Sequence, residues 1–245
     1  MITPHGIGFY HRRFAGTGPT DIRKAVQAAK DAGAGWIAFM AEAMDGFRNP
    51  LGRLEAWGAA FREAGIEPWV WTFPGDAHTD QRRYAETLRL AWLATGARGV
   101  ILDVEKPHKG HKESALKLRD AVLDFLPDNH GCGFSSFGLR SAHPSIPWDV
   151  FAHPRIFGSP QFYTVDSHTV NVAINGWKTG HTEIVPSLPL FQKSRGATGA
   201  QLDLYLAGMA ADRFPAICMW SWPDLRKDHA KVLRKWSERF PEAKR

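Results

Sequence analysis

The chain has 245 residues, 44% of them hydrophobic, with a net charge of +6. That is enough apolar material for one large core or two small domains. No run of about 18 apolar residues occurs, which excludes a transmembrane helix, and Met1–Tyr10 lacks the basic and apolar regions of a signal peptide.

In chain order, short apolar runs alternate with amphipathic stretches about eight times. Strands are expected at Gly6–Tyr10, Trp36–Ala41, Glu67–Phe73, Gly99–Val104, Gly131–Ser136, Ile156–Tyr163, Glu183–Leu190 and Ala216–Trp222. Between them, helices are expected at Thr20–Ala32, Asn49–Ala64, Asp80–Thr95 and Lys112–Phe125. They continue with a poorly defined stretch after Pro144, a short or absent helix around Thr169–Trp177, then Ala200–Arg213 and Arg226–Phe240. Thr20 is suited to cap the first helix. Gly33, Gly65 and Gly96 stand where helices end before the next strand. The connections are too short for a linker, so residues 1–245 are read as one domain. The βαβα rhythm calls for a parallel sheet, and eight repeats fit a closed (β/α)₈ TIM barrel of ~250 residues. An open doubly wound sheet is the alternative. It wants a Gly-rich phosphate loop after strand one, where this chain has Tyr10-His11-Arg12-Arg13.

Barrel active sites lie at the C-terminal strand ends. Those ends offer Tyr10, His11, Glu42, Trp71, Asp103, Glu105, Gln161, Tyr163, Trp220, Trp222 and Asp224, with Ser135, Ser136, Ser187 and Gln192 nearby. The set is acidic, amide-bearing and aromatic. Aromatic faces stack on pyranose rings, while carboxylates and amides bond sugar hydroxyls. Val100-Ile101-Leu102-Asp103-Val104-Glu105 is the sharpest signal. Residues two apart on a strand share a face. Asp103 and Glu105 therefore point the same way, roughly 6–7 Å apart along the strand. Like charges that close push at least one pKa upward, which suits a general acid beside an ionised stabiliser.

This Asp103-Val104-Glu105 motif resembles the strand-four motif of two barrel glycosidase families, the lysozymes of glycoside hydrolase family 25 and the chitinases of family 18. Gln161-Phe162-Tyr163 and Trp220-Ser221-Trp222 are similar in type to their counterparts there. The resemblance implies that Glu105 is the acid and that Asp103 supports the substrate's N-acetyl group. The chain departs from both patterns. Arg98 and Ile101 stand where the longer chitinase motif has acids, and Tyr10 and His11 stand where the lysozymes carry an aspartate.

Other features read more plainly. Trp36, Trp57 and Trp92 suit helix–strand packing, whereas Trp71 and Trp222 at strand ends suit sugar stacking. Cys132 and Cys218 read as buried free thiols. His108 and His111 are flanked by Lys106, Lys109 and Lys112, which disfavours a cation. No metal and no cofactor is therefore expected. Ser135 and Ser136 lack a nucleophile elbow and read as small residues lining the mouth. The basic cluster Arg226, Lys227, Lys231, Arg234 and Lys235 reads as a solvated helix face, and no nucleic-acid motif occurs.

The expected function is cleavage of an N-acetylhexosamine polysaccharide, peptidoglycan ahead of chitin, by a monomer that contacts neither membrane nor nucleic acid. Synthesis would be cytoplasmic, with release by lysis or carriage in a phage particle. The rival readings are a non-catalytic carbohydrate-binding barrel, such as a phage particle component, and a barrel enzyme on another small molecule. In an inverting route, Glu42 or Asp224 would be the base.

Overall fold

The computed structural model describes residues 1–12, 21–43, 45–75, 78, 80–162, 167–190, 198–208, 211–221 and 225–240. Eight parallel strands close into a barrel in sequential order. They are β1 (Gly6–His11), β2 (Ala34–Glu42), β3 (Glu67–Thr72), β4 (Gly99–Asp103), β5 (Gly131–Phe137), β6 (Ile156–Gln161), β7 (Ser187–Pro189) and β8 (Ala216–Trp220). The helices are α1 (Ile22–Asp31), α2 (Leu51–Glu63), α3 (Gln81–Thr95), α4 (Lys112–Phe125), α5 (Trp148–Phe151), α6 (Ser167–Lys178), α7 (Gly199–Gly208) and α8 (Lys227–Ser237). The TIM barrel expected from the sequence is thus present.

The helix ends follow local chemistry. The Asp21 carboxylate caps α1 by accepting from the Arg23 N–H at 2.9 Å. Thr20 lies outside the described residues. Gly96 closes α3 at φ 58°, a left-handed conformation that glycine adopts without penalty. The stretch expected to hold little or no helix forms the 12-residue α6. Its Val170, Ala173, Ile174 and Trp177 are buried at helical spacing, so burial of one face overrides weak local propensity. Conversely, β7 is shorter than expected. Pro186 and Pro189 lack the N–H that a longer ladder needs.

Two packed layers result. Ile7, Phe9, Phe39, Val70, Leu102, Phe134 and Ile217 face the helices, and their strand neighbours fill the barrel. Trp36 is inside the barrel, not in the helix–strand layer, where Trp57 lies as expected. At the N-terminal end Trp36, Trp69 and Phe157 meet edge to face, at 6.2 and 5.8 Å between centroids. Glycines make room for them. A Cβ on Gly8 would fall 1.9 Å from the Trp36 ring, and one on Gly99 or Gly131 would fall 2.3 Å from Trp69. Glu67 at the start of β3 accepts from the Trp69 indole N–H at 2.7 Å below this apolar plug, and the buried polar cluster of the barrel gathers toward the C-terminal end. Among the described residues, no helix is long and apolar enough to cross a membrane.

Candidate active site

Asp103 is the last residue of β4 and faces into the barrel, 5% exposed. Val104 turns into the helix-facing layer, which returns Glu105 to the same side as Asp103. Gln161, at the end of β6, ties the wall together. Its Nε2 donates to Asp103 Oδ1 at 2.5 Å and to Ser135 Oγ at 3.0 Å. Burial raises the Asp103 pKa well above the usual carboxylate range, and the neighbouring Glu105 charge raises it further. Hydrogen bonds from Gln161 and Ser135 and the Arg12 charge oppose this. Burial also raises Glu105, opposed by its hydrogen bond with Gln161. The result is a pair of carboxyls sharing one amide, both more willing than usual to hold a proton.

Beneath this pair Tyr10, Trp71 and Trp220 form a closed aromatic triad. Each ring meets the other two edge to face, with centroids 5.1–5.3 Å apart. The Tyr10 hydroxyl approaches Ser159, Ser135 and Asp103 without completing a hydrogen bond, and burial raises its pKa. Trp71 is 2% exposed, and its indole Nε1–H donates to the His11 carbonyl at 3.1 Å. It supports the floor and offers no free face for stacking, contrary to expectation. Trp220 is only partly buried and offers surface at the mouth. The Arg12 guanidinium carbon sits 5.7 Å from its ring centroid.

Two expected substrate contacts lie elsewhere. The His11 ring packs in the helix layer, 5.1 Å from Trp57 and 5.9 Å from Phe39, and burial pulls its pKa down to about 4. It follows Tyr10 on the strand, so strand alternation sends it to the opposite face. Glu42 has no exposed surface, and its Oε1 meets Arg83 at 2.8 Å and Arg48 at 3.4 Å. A register shift between Met40 and Glu42 places it opposite Thr72, so its carboxylate anchors α3 and the loop after β2. Tyr163, Gln192, Trp222 and Asp224 lie outside the described residues. Ser159, Arg12 and the bonding role of Ser135 went unforeseen. For Ser159 the signal was present, two positions before Gln161 on the same strand face. His108 is buried with Nε2 3.3 Å from Gln81 Oε1, and His111 packs edge to face on His78 at 4.7 Å. Both thiols are buried and free.

No family model and no curated protein matches the chain in sequence. Solved structures do match in shape. The active domain 2 of a thermostable chitinase from Pyrococcus furiosus superposes with TM-score 0.71 at 12% identity, covering 97% of this chain and 96% of that one. The Rhizomucor miehei endo-1,4-β-mannanase gives 0.70 at 10% identity, covering 96% and 94%. The Bacillus cereus spore cortex-lytic enzyme SleL gives 0.68 at 10%, covering 96% and 75%. The chain shares its fold with these three glycan-acting barrels. At such identities the likeness extends to the backbone, and the chemistry rests on the residues at the mouth.

Proposed function

We propose that the protein is a glycosidase acting on an N-acetylhexosamine polymer, peptidoglycan ahead of chitin. The carrying observation is the Asp103–Glu105 pair at the barrel mouth, bridged by Gln161 over an aromatic floor. Glu105, half-buried with a raised pKa, protonates the glycosidic oxygen as the bond to the leaving sugar breaks. The acetamido carbonyl oxygen attacks the anomeric carbon from the other face. Asp103 holds that acetamido group and balances the positive charge that develops on it. Water then opens the cyclic intermediate while the Glu105 carboxylate takes its proton. Trp220 gives the sugar an apolar surface, and Tyr163, Trp222 and Asp224 are proposed to complete the pocket.

Peptidoglycan is placed first because a basic protein is drawn to an anionic wall, and because one barrel of the same fold is a spore cortex-lytic enzyme. We further propose a lysozyme-like monomer in which the chain forms one catalytic domain. It would be made in the cytoplasm and would meet its substrate on lysis or from a phage particle, as a lysin does. Incubating the protein with purified cell walls and, separately, with chito-oligosaccharides tests the reading. New reducing ends in either support a glycosidase, and faster release from walls supports the order of substrates. Retention on both glycans without release supports a binding barrel instead.

A further inference from the structure

The mouth holds a cation that the proposed reaction does not use. Arg12 follows β1 directly and is exposed. The backbone beneath it is pinned twice. Trp71 Nε1–H donates to the His11 carbonyl at 3.1 Å, and Asn49 Nδ2–H donates to the Arg12 carbonyl at 2.9 Å. Asn49 also donates to the Met40 carbonyl at 2.7 Å, which locks the end of β1 to the end of β2. The guanidinium is thus presented from a rigid strand end, over the partly exposed face of Trp220.

Three observations bear on what it is for. Among the described residues, Arg12 has no acidic partner within salt-bridge distance, whereas Arg48 and Arg83 at the same end of the barrel are both held by Glu42. If its role were only to neutralise Asp103, it would sit on that carboxylate. The Asp103 Oδ1 is instead held by Gln161, and Arg12 acts on Asp103 only through space. A guanidinium over an indole keeps its in-plane N–H donors free, in the fork that fits a carboxylate. Lys106, exposed and adjacent to Glu105, adds a second cation to the rim, also without an acidic partner among the described residues.

We propose that Arg12 is a specificity-determining residue that reads a carboxylate carried by the glycan bound over Trp220. The preferred substrate is then an acidic N-acetylhexosamine polymer and not a neutral one. This rests on the glycosidase reading for the site but not on turnover. A neutral chain such as chitin leaves the guanidinium fork unfilled. A sugar bearing an acidic ether substituent, or a peptide attached to it, fills the fork.

Equilibrium binding by calorimetry tests this in a Glu105→Gln background, so that the ligands are not consumed. The ligands are a chito-oligosaccharide, a peptide-free wall glycan of the same length with its sugar carboxylates free, that glycan with its carboxyls amidated, and a peptide-bearing wall fragment. Adding Arg12→Ala should weaken the acidic glycan about 10-fold, the lower end for an exposed charge-assisted contact. The neutral and amidated glycans should change less than about 2-fold. Arg12→Lys, which keeps charge but loses the fork, should fall between. Lys24→Ala, which removes an exposed charge on α1, should leave all four unchanged. Selective loss on the peptide-free glycan assigns the carboxylate to the sugar, and loss confined to the peptide-bearing fragment assigns it to the peptide. Equal weakening of neutral and acidic ligands, an equal effect of Lys24→Ala, or no binding of any glycan overturns the proposal. A protein that binds selectively yet releases no reducing ends from walls leaves this proposal standing and removes the glycosidase reading.

Discussion

Gln161→Met removes the amide that joins the two carboxyls while keeping the length of the side chain. A hydrogen bond to a carboxylate favours its charged form, so losing it raises the pKa. Gln161 donates to Asp103 Oδ1 at 2.5 Å, and both residues are buried, so solvent cannot replace the bond. A bond of that kind contributes about 1.5–3 kcal/mol, or about 1–2 pH units. The Ser135 hydroxyl, released from its own 3.0 Å contact with Gln161, remains as a second donor to Asp103. The lower end, about one unit, is therefore expected. Glu105 loses its bond to the same amide and should move in the same direction. In the proposed mechanism Asp103 must be ionised and Glu105 protonated, so both limbs of the kcat/KM profile shift upward together. The assay is initial-rate hydrolysis of a chito-oligosaccharide across pH, with circular dichroism at each pH to show the fold is intact. The pair titrates as a unit, so the apparent values belong to both groups. If the variant is folded and active with both limbs unmoved, Gln161 does not set the ionisation of the pair and the electrostatic account fails.

Other expectations follow from the same geometry. Burial raises the folded-state pKa of Asp103 above its unfolded value, so its protonated form favours the fold, and that contribution is present at low pH and lost as pH rises through the folded pKa. Asp103→Asn, which is never charged, should therefore gain thermal stability over the parent at neutral and higher pH. The gain should vanish below about pH 4, and a Tm difference independent of pH contradicts this. Gly131→Ala puts a Cβ 2.3 Å from the Trp69 ring and 2.5 Å from the Ile2 carbonyl, and should lower stability in denaturant titration by about 1–3 kcal/mol. Glu42→Gln breaks the ion pairs to Arg83 and Arg48. Because both arginines are partly exposed, about 1–2 kcal/mol is expected, with KM for glycan unchanged, and a rise in KM returns Glu42 to the substrate site.

The barrel was legible because burial patterns repeat in the chain. Strands bounded by glycine-ended helices recur at even spacing, and the Asp103–Glu105 alternation alone placed both carboxyls on one face. What escaped was set by long-range packing. Glu42 sits at a strand end like Asp103, yet a register shift turns it outward. His11 is the exception, because strand alternation after Tyr10 already sends it outward. Trp71 has the composition of a stacking residue and is buried because Tyr10 and Trp220 close over it. Arg12 gave no sequence signal, since its exposure over Trp220 depends on β1 and β8 meeting when the barrel closes.

The most direct test of the central claim is single-residue. Glu105→Gln keeps the shape of the side chain but donates no proton with a carboxyl's acidity. Release of reducing ends from purified cell walls, or from a chito-oligosaccharide, should fall by roughly 10²–10⁴-fold in kcat. Glycan binding and thermal stability should stay near those of the parent. Undiminished turnover by a folded Glu105→Gln protein would remove Glu105, and with it the paired-carboxyl mechanism.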